Sequence, residues 1–221
     1  MLGTFVNAIA IIIGTLLGAS LGAKLQQRYV KIIMRLLGVI TLILGVQMLA
    51  GFSSIVVPIL SLLIGGAMGY SLHIDKAVTN FVSKFSKNGQ GGRGFVAASV
   101  LFCVGPMSIV GSLEDGLHSN PSILLTKAGL DGVSSVVLSA TFGIGVMLSA
   151  LLVFALQGSI TLASSQASSF LTQQLMSNLT TTGGSLVLVI AANLLGFDKF
   201  KVENLLPSLL IVTILSFLSL P

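Results

Sequence analysis

PSILLTKAGLDGVSSVVLSATFGIGVMLSALLVFALQG, residues 121–158, holds two charged side chains, Lys127 and Asp131, in an otherwise apolar run. As continuous helix it would be roughly 57 Å long, about twice a ~30 Å hydrocarbon core. How often this run crosses a membrane sets the architecture, and the charges around it supply the parity. Ten of the 11 Lys and Arg residues fall into three clusters, Lys24/Arg28/Lys31/Arg35, Lys76/Lys84/Lys87/Arg93 and Lys199/Lys201. Lys and Arg collect in the cytoplasmic loops of membrane proteins. With all three clusters on that side, residues 94–198 cross an even number of times. Phe95–Leu113 and Leu179–Phe197 supply two crossings, so 121–158 supplies two more, with a turn near Phe142–Gly145. The alternative is one crossing there, with Cys103–Asp131 re-entrant.

Composition agrees with a membrane class. The chain is 54% hydrophobic and 8% charged, with mean hydropathy +1.05, whereas soluble domains carry roughly 25% charged residues. The net charge of +5 lies in loops beside apolar runs, so it is no nucleic-acid footprint. The first 23 residues lack a basic leader and read as a span, not a cleaved signal. The remaining expected spans are Thr4–Ala23, Leu36–Ala50, Val56–Leu72 and Asn204–Leu220. The expected fold is therefore an all-α polytopic bundle of about eight spans, with both termini outside. Thr161–Asn178 reads as an external loop or interfacial helix, and Thr180–Gly184 as the cap of span seven. Residues 83–94 form the one hydrophilic linker.

Two matches suggest a duplicated four-helix unit with halves 1–117 and 118–221. Gly38-VITLILGVQMLA-Gly51 pairs with Gly145-VMLSALLVFALQ-Gly158, and Ile74-Asp75-Lys76 with Phe197-Asp198-Lys199. The pairing sets Asn7 opposite Asp131. Such units would repeat in parallel about an axis normal to the membrane.

The candidate site centres on LFCVGPMSIVGSLEDGL, residues 101–117. Gly105-Pro106 breaks the helix, and backbone groups freed inside a membrane need partners or a ligand. Broken helices are where transporters build solute and ion sites; a plain Pro kink is the competing reading. Asp131 is the one carboxylate placed inside an expected span, which makes it a functional candidate. An ion pair with Lys127, four residues earlier, is the structural alternative. Ser108, Glu114, Asp115 and Asn7 are expected to join these groups around one polar cavity. Asn193 is a further lone amide that could bind or bridge helices. Cys103 reads as a small buried hydrophobe. No nucleophile–base set, metal-ligand spacing or nucleotide motif is present, so neither catalysis nor a cofactor is expected.

The central run and the later KAGLDG resemble the domain of unknown function 554 family (YqgA-like). So do GTFVNAIAIIIG, QGSITL and NLLGFDKFKVENLLP. The resemblance covers nearly the whole chain. It implies a bacterial inner-membrane protein whose relatives have no assigned substrate, with a suggested link to biofilm formation. Taken together, the expected function is a small secondary transporter or ion-conducting protein moving a small solute or ion. Its partners would be membrane lipid and further copies of itself, with no nucleic acid. The alternative is a scaffold or receptor that transports nothing.

Overall fold

The computed structural model describes residues 1–22, 27–50, 55–84, 91–164, 172–197 and 200–218. Among them every regular element is helical. The helices are α1 (Leu2–Gly22), α2 (Gln27–Leu49), α3 (Val56–Ser71), α4 (Ile74–Ser83), α5 (Gly91–Cys103), α6 (Pro106–Leu117), α7 (Ser122–Phe142), α8 (Ser149–Leu162), α9 (Gln173–Ala192) and α10 (Pro207–Leu218). A 3-10 turn, Gly143–Leu148, joins α7 to α8. The chain forms two compact units, Met1–Ile33 with Val82–Phe170, and Met34–Phe81 with Leu171–Pro221. Each unit draws on both sequence halves, so these bodies are not the halves 1–117 and 118–221.

The first unit is built on close contact between α1 and α7. A Cβ added at Gly14, Gly18 or Gly22 would fall on the backbone oxygens of Gly132, Val136 and Ala140 respectively. Glycine at four-residue spacing lets the two backbones approach this closely. Contacts at Gly3–Leu124 and Gly22–Ala140 show that the helices run parallel. The chain then reverses. Gly143 takes φ 76°, ψ −161°, a left-handed conformation that favours glycine. Gly158 on α8 returns to Met1 and Thr4. Residues 122–162 are continuous in helical hydrogen bonding, yet they fold as a hairpin turning where the parity argument places the turn. From Gly91, beside Gly145, to Gly116, beside Thr161, α5 and α6 traverse the same unit in one broken rise.

Burial in α1 is inside out relative to a soluble helix. Thr4, Asn7, Gly14, Thr15 and Gly18 are buried, while Phe5, Ile9, Ile13, Leu16, Leu17 and Leu21 are exposed. Small and polar residues facing inward, with large apolar ones outward, is the pattern lipid selects.

In the second unit α3 and α10 run antiparallel, with Gly65 against Ser208 and Gly69 against the Asn204 backbone. The chain bends by 65° between α3 and α4. Thr172 caps α9, its hydroxyl accepting from the Leu175 amide at 3.2 Å. This corrects two expectations. Helix α9 begins at Gln173, inside the stretch Thr161–Asn178 expected as an external loop or interfacial helix, and Thr180–Gly184 lies in mid-helix, because a polar, small-residue helix packs inside a membrane protein as readily as an apolar one. Residues 165–171 of that stretch lie outside the described residues, as do Lys24, Lys87 and Lys199.

Three helical stretches among the described residues are long and apolar enough to cross a membrane, or five if each bent pair counts as one span. The expected eight is not confirmed on that measure. Helix α8 has 14 residues, about 21 Å of rise, short of a ~30 Å core.

Candidate functional site

The break between α5 and α6 shows how this sequence handles a proline inside a span. Pro106 has no N–H, so the Phe102 carbonyl four residues earlier loses its helical donor. The Ser108 hydroxyl replaces it, donating to that carbonyl at 2.6 Å. Gly105 is extended (φ −66°, ψ 144°), and the axis bends by 55°. A Cβ at Gly105 would meet no atom within 4 Å. Both Ser108 and Phe102 are fully buried.

From Ser108 a chain of polar groups runs through the interior of the first unit. The Gln157 amide nitrogen on α8 reaches Ser108 Oγ at a long 3.5 Å. Gln157 Oε1 accepts from Asn7 Nδ2 at 3.3 Å. The same Asn7 nitrogen donates to Asp131 Oδ2 at 3.1 Å, and Lys127 Nζ donates to that oxygen at 2.5 Å. Lys127 also stands over the Phe102 ring, 5.7 Å from its centroid, which closes the circuit back to the break. Asn7 and Gln157 are 0% exposed, Lys127 5% and Asp131 6%. Four structural segments thus each commit a polar group: α1, the α5–α6 break, α7 and α8.

Burial makes the charges depend on one another. An unpaired buried charge is very costly, and a pair offsets that cost only with good geometry and further hydrogen bonds. Asp131 receives both a cation and an amide donor. Asn7 Oδ1, by contrast, is buried with no hydrogen-bond partner.

Of the expected site residues, the structure brings Asn7, Ser108, Lys127 and Asp131 together at the Gly105-Pro106 break. Others go elsewhere. Asp115 is bound to the start of α1, 2.8 Å from the Met1 ammonium and 3.2 Å from the Gly3 amide. A carboxylate there complements the helix dipole and a free N–H. Glu114 pairs with exposed His118 at 3.2 Å. Asn193 belongs to the other unit, where its side chain donates to the Phe200 carbonyl at 2.7 Å and ties down the end of α9. The expected convergence of Glu114 and Asp115 on Asp131 is therefore corrected, and Asn193, expected only to bind or bridge, fastens backbone within its own unit. Gln157 was missed. It is a lone amide in an apolar run, the same signal that picks out Asn7.

The family model described as "Protein of unknown function (DUF554)" matches residues 2–217, and the chain belongs to that family. It is 37% identical to a Bacillus subtilis (strain 168) protein described as "Uncharacterized membrane protein YdfK", over 98% of this chain and 96% of the other. It is 27% identical to "Uncharacterized protein YqgA" of Escherichia coli (strain K12), over 98% of this chain and 96% of that one. No solved structure matches. With its apolar helices and a relative of that description, this is a helical membrane protein.

Proposed function

We propose that this protein is a multi-pass protein of the bacterial inner membrane that moves a small solute or ion through its first unit, without covalent catalysis. The observation that carries this reading is the Lys127–Asp131 pair, buried and hydrogen-bonded through Asn7 and Gln157 to a broken helix. Burying two charges costs several kcal/mol per ion, and apolar replacements are often as stable or more so. Such a pair is a poor architectural choice and a suitable device for binding charge. The break adds a backbone that can change its partners with little loss, since one side-chain hydroxyl already stands in for the missing N–H.

Charge placement supports the orientation. Arg93 lies at the end of the first unit marked by Gly22 and Gly143, and Glu114 and Asp115 lie at the opposite end. By the positive-inside rule the Arg93 end is cytoplasmic.

A scaffold would also tolerate a polar chain whose members mostly satisfy one another, and flux separates the two readings. The full chain in proteoliposomes should show solute- or ion-driven flux that Asp131→Asn abolishes while the protein stays folded. Wild-type flux no greater than that of empty vesicles, or an Asp131→Asn protein with full flux, would support the scaffold.

A further inference from the structure

Resting on the transport reading, we infer that the Lys127–Asp131 pair is an exchange site at which a monovalent metal cation displaces the Lys127 ammonium from Asp131 and one proton leaves. Before exchange, the carboxylate holds the protonated amine. Afterwards it holds the metal ion, Lys127 is a neutral amine, and its proton has passed to water on the open side. No bond other than that N–H is broken.

Charge balance leads to this stoichiometry. One positive and one negative side chain lie together in the interior. Helices α1 and α8 bring no charged side chain to them. On α5 and α6, Glu114 and Asp115 are engaged by His118 and the Met1 ammonium. Arg93 stands at the far end of α5, and Cys103 follows Phe102 at its near end. A cation entering without a compensating loss would leave net charge in a poorly solvated place. Release of one proton keeps the sum at zero. A divalent ion would not balance against one carboxylate.

The donor atoms point to a hard metal ion. Asp131 offers a carboxylate, and Gln157 Oε1 already faces the Asn7 amide beside it. Asn7 Oδ1 is fully buried and unpartnered. The terminal torsion of asparagine is broad and roughly two-fold. A half-turn of the amide therefore exchanges Nδ2 for Oδ1 and presents a third oxygen. Thr4 Oγ1, about one turn earlier on α1, is likewise buried with no partner. Oxygen ligands of this kind suit hard cations such as Na⁺ or Li⁺. The Phe102 ring stands beside the pair, its centroid 5.7 Å from the Lys127 nitrogen. That ring abuts the helix break, so exchange at Asp131 is felt at residues 102–108.

The test is cation titration of the full-length protein in detergent, followed by thermal unfolding at pH 6.5, 7.5 and 8.5 and constant ionic strength. NaCl or LiCl should raise the midpoint saturably and choline chloride should not. Apparent affinity should tighten by about tenfold per pH unit, the linkage of one proton. Lys127→Met, in which a buried Asp131 without a cation takes up a proton itself, should bind Na⁺ only where that proton can leave, and Na⁺ should there restore part of its lowered midpoint. Asn7→Leu should weaken binding about tenfold, and Asp131→Asn should abolish it. A wild-type protein with no cation-specific shift at any pH, or with pH-independent affinity, would overturn the inference. So would Na⁺ binding unchanged in Asp131→Asn or, if that variant does not fold, in Asn7→Leu. Flux is scored separately: pH-linked Na⁺ binding without flux keeps the site and removes the transport reading. Flux indifferent to Na⁺ and pH gradients keeps transport and removes the exchange.

Discussion

Asn7 and Asp131, 124 positions apart in the chain, meet side chain to side chain at 3.1 Å in the interior of the first unit. The contact joins the first helix to the parallel helix beside it, and through Gln157 and Ser108 to the broken one. A residue on each of four segments thereby depends on one charge pair, and the energetics of that pair can be measured.

Removing one charge should cost far more than removing both. Lys127→Met or Asp131→Leu alone should lower unfolding free energy by about 3–5 kcal/mol, because an unpaired charge is left buried. The double variant should recover most of that loss. Reversible denaturation in mixed micelles measures all three; strictly additive losses would show that the two groups do not stabilise each other. Gln157→Leu, which removes weaker bonds between neutral groups, should cost about 0.6–1.7 kcal/mol.

Two glycine substitutions should behave oppositely. Gly18→Ala places a methyl against the Val136 carbonyl and the Ser139 hydroxyl, so α1 and α7 must separate, at about 1–3 kcal/mol or more. Gly129→Ala, on the exposed side of α7 with nothing within 4 Å, should be neutral or gain about 0.5–1 kcal/mol. Thermal midpoints of the two variants give the comparison directly. Equal losses would contradict the packing described for α1.

Cysteine labelling tests the hairpin. Asn120 and Ile144 are both exposed, at opposite ends of α7. In a Cys103→Ser background, Asn120→Cys should react with an impermeant maleimide from outside intact cells. Ile144→Cys should react only once the inner face is opened. Reaction of both from one side would be incompatible with α7 crossing the bilayer.

A surface pair in the second unit should give a pH signature. Asp75 lies past the end of α3, in the basic segment outside the spans, and accepts from Lys201 Nζ at 2.8 Å. That hydrogen bond, first among its causes, holds the Asp75 carboxyl below the ordinary carboxylate range, and raises Lys201. A lowered carboxyl contributes stability above its unfolded pKa and loses it as pH falls through the folded value. A raised amine contributes below its unfolded pKa and loses it as pH rises through the folded value. The pair should thus act across the neutral range and fade at both extremes. Thermal midpoints of wild type and Asp75→Asn should differ modestly at pH 7, less in high salt, and the gap should shrink as pH falls through and below the ordinary carboxylate range. A gap unchanged by both acid and high salt would assign the effect to something other than charge.

The sequence alone was enough for the class and for the reversal within the first unit. Apolar runs and clustered basic residues are local and compositional signals, and lipid imposes them residue by residue. The reversal near Gly143 followed from length and parity, because a helix has a fixed rise and a bilayer a fixed thickness. The break at Gly105-Pro106 followed from one missing N–H. Which lone polar residues belong together was not legible in the same way. Asn7, Gln157 and Asn193 look alike in sequence, each a single amide in an apolar stretch, yet two join Asp131 and the third fastens the end of α9. Asp115, two residues from Leu113 in the expected fourth span, binds the start of α1 instead. Only tertiary structure could decide these pairings. A hydrogen bond between residues 124 or 150 positions apart depends on how glycine-lined backbones approach and rotate. That rotation is set by side-chain packing along the whole helix, not by the residues that meet.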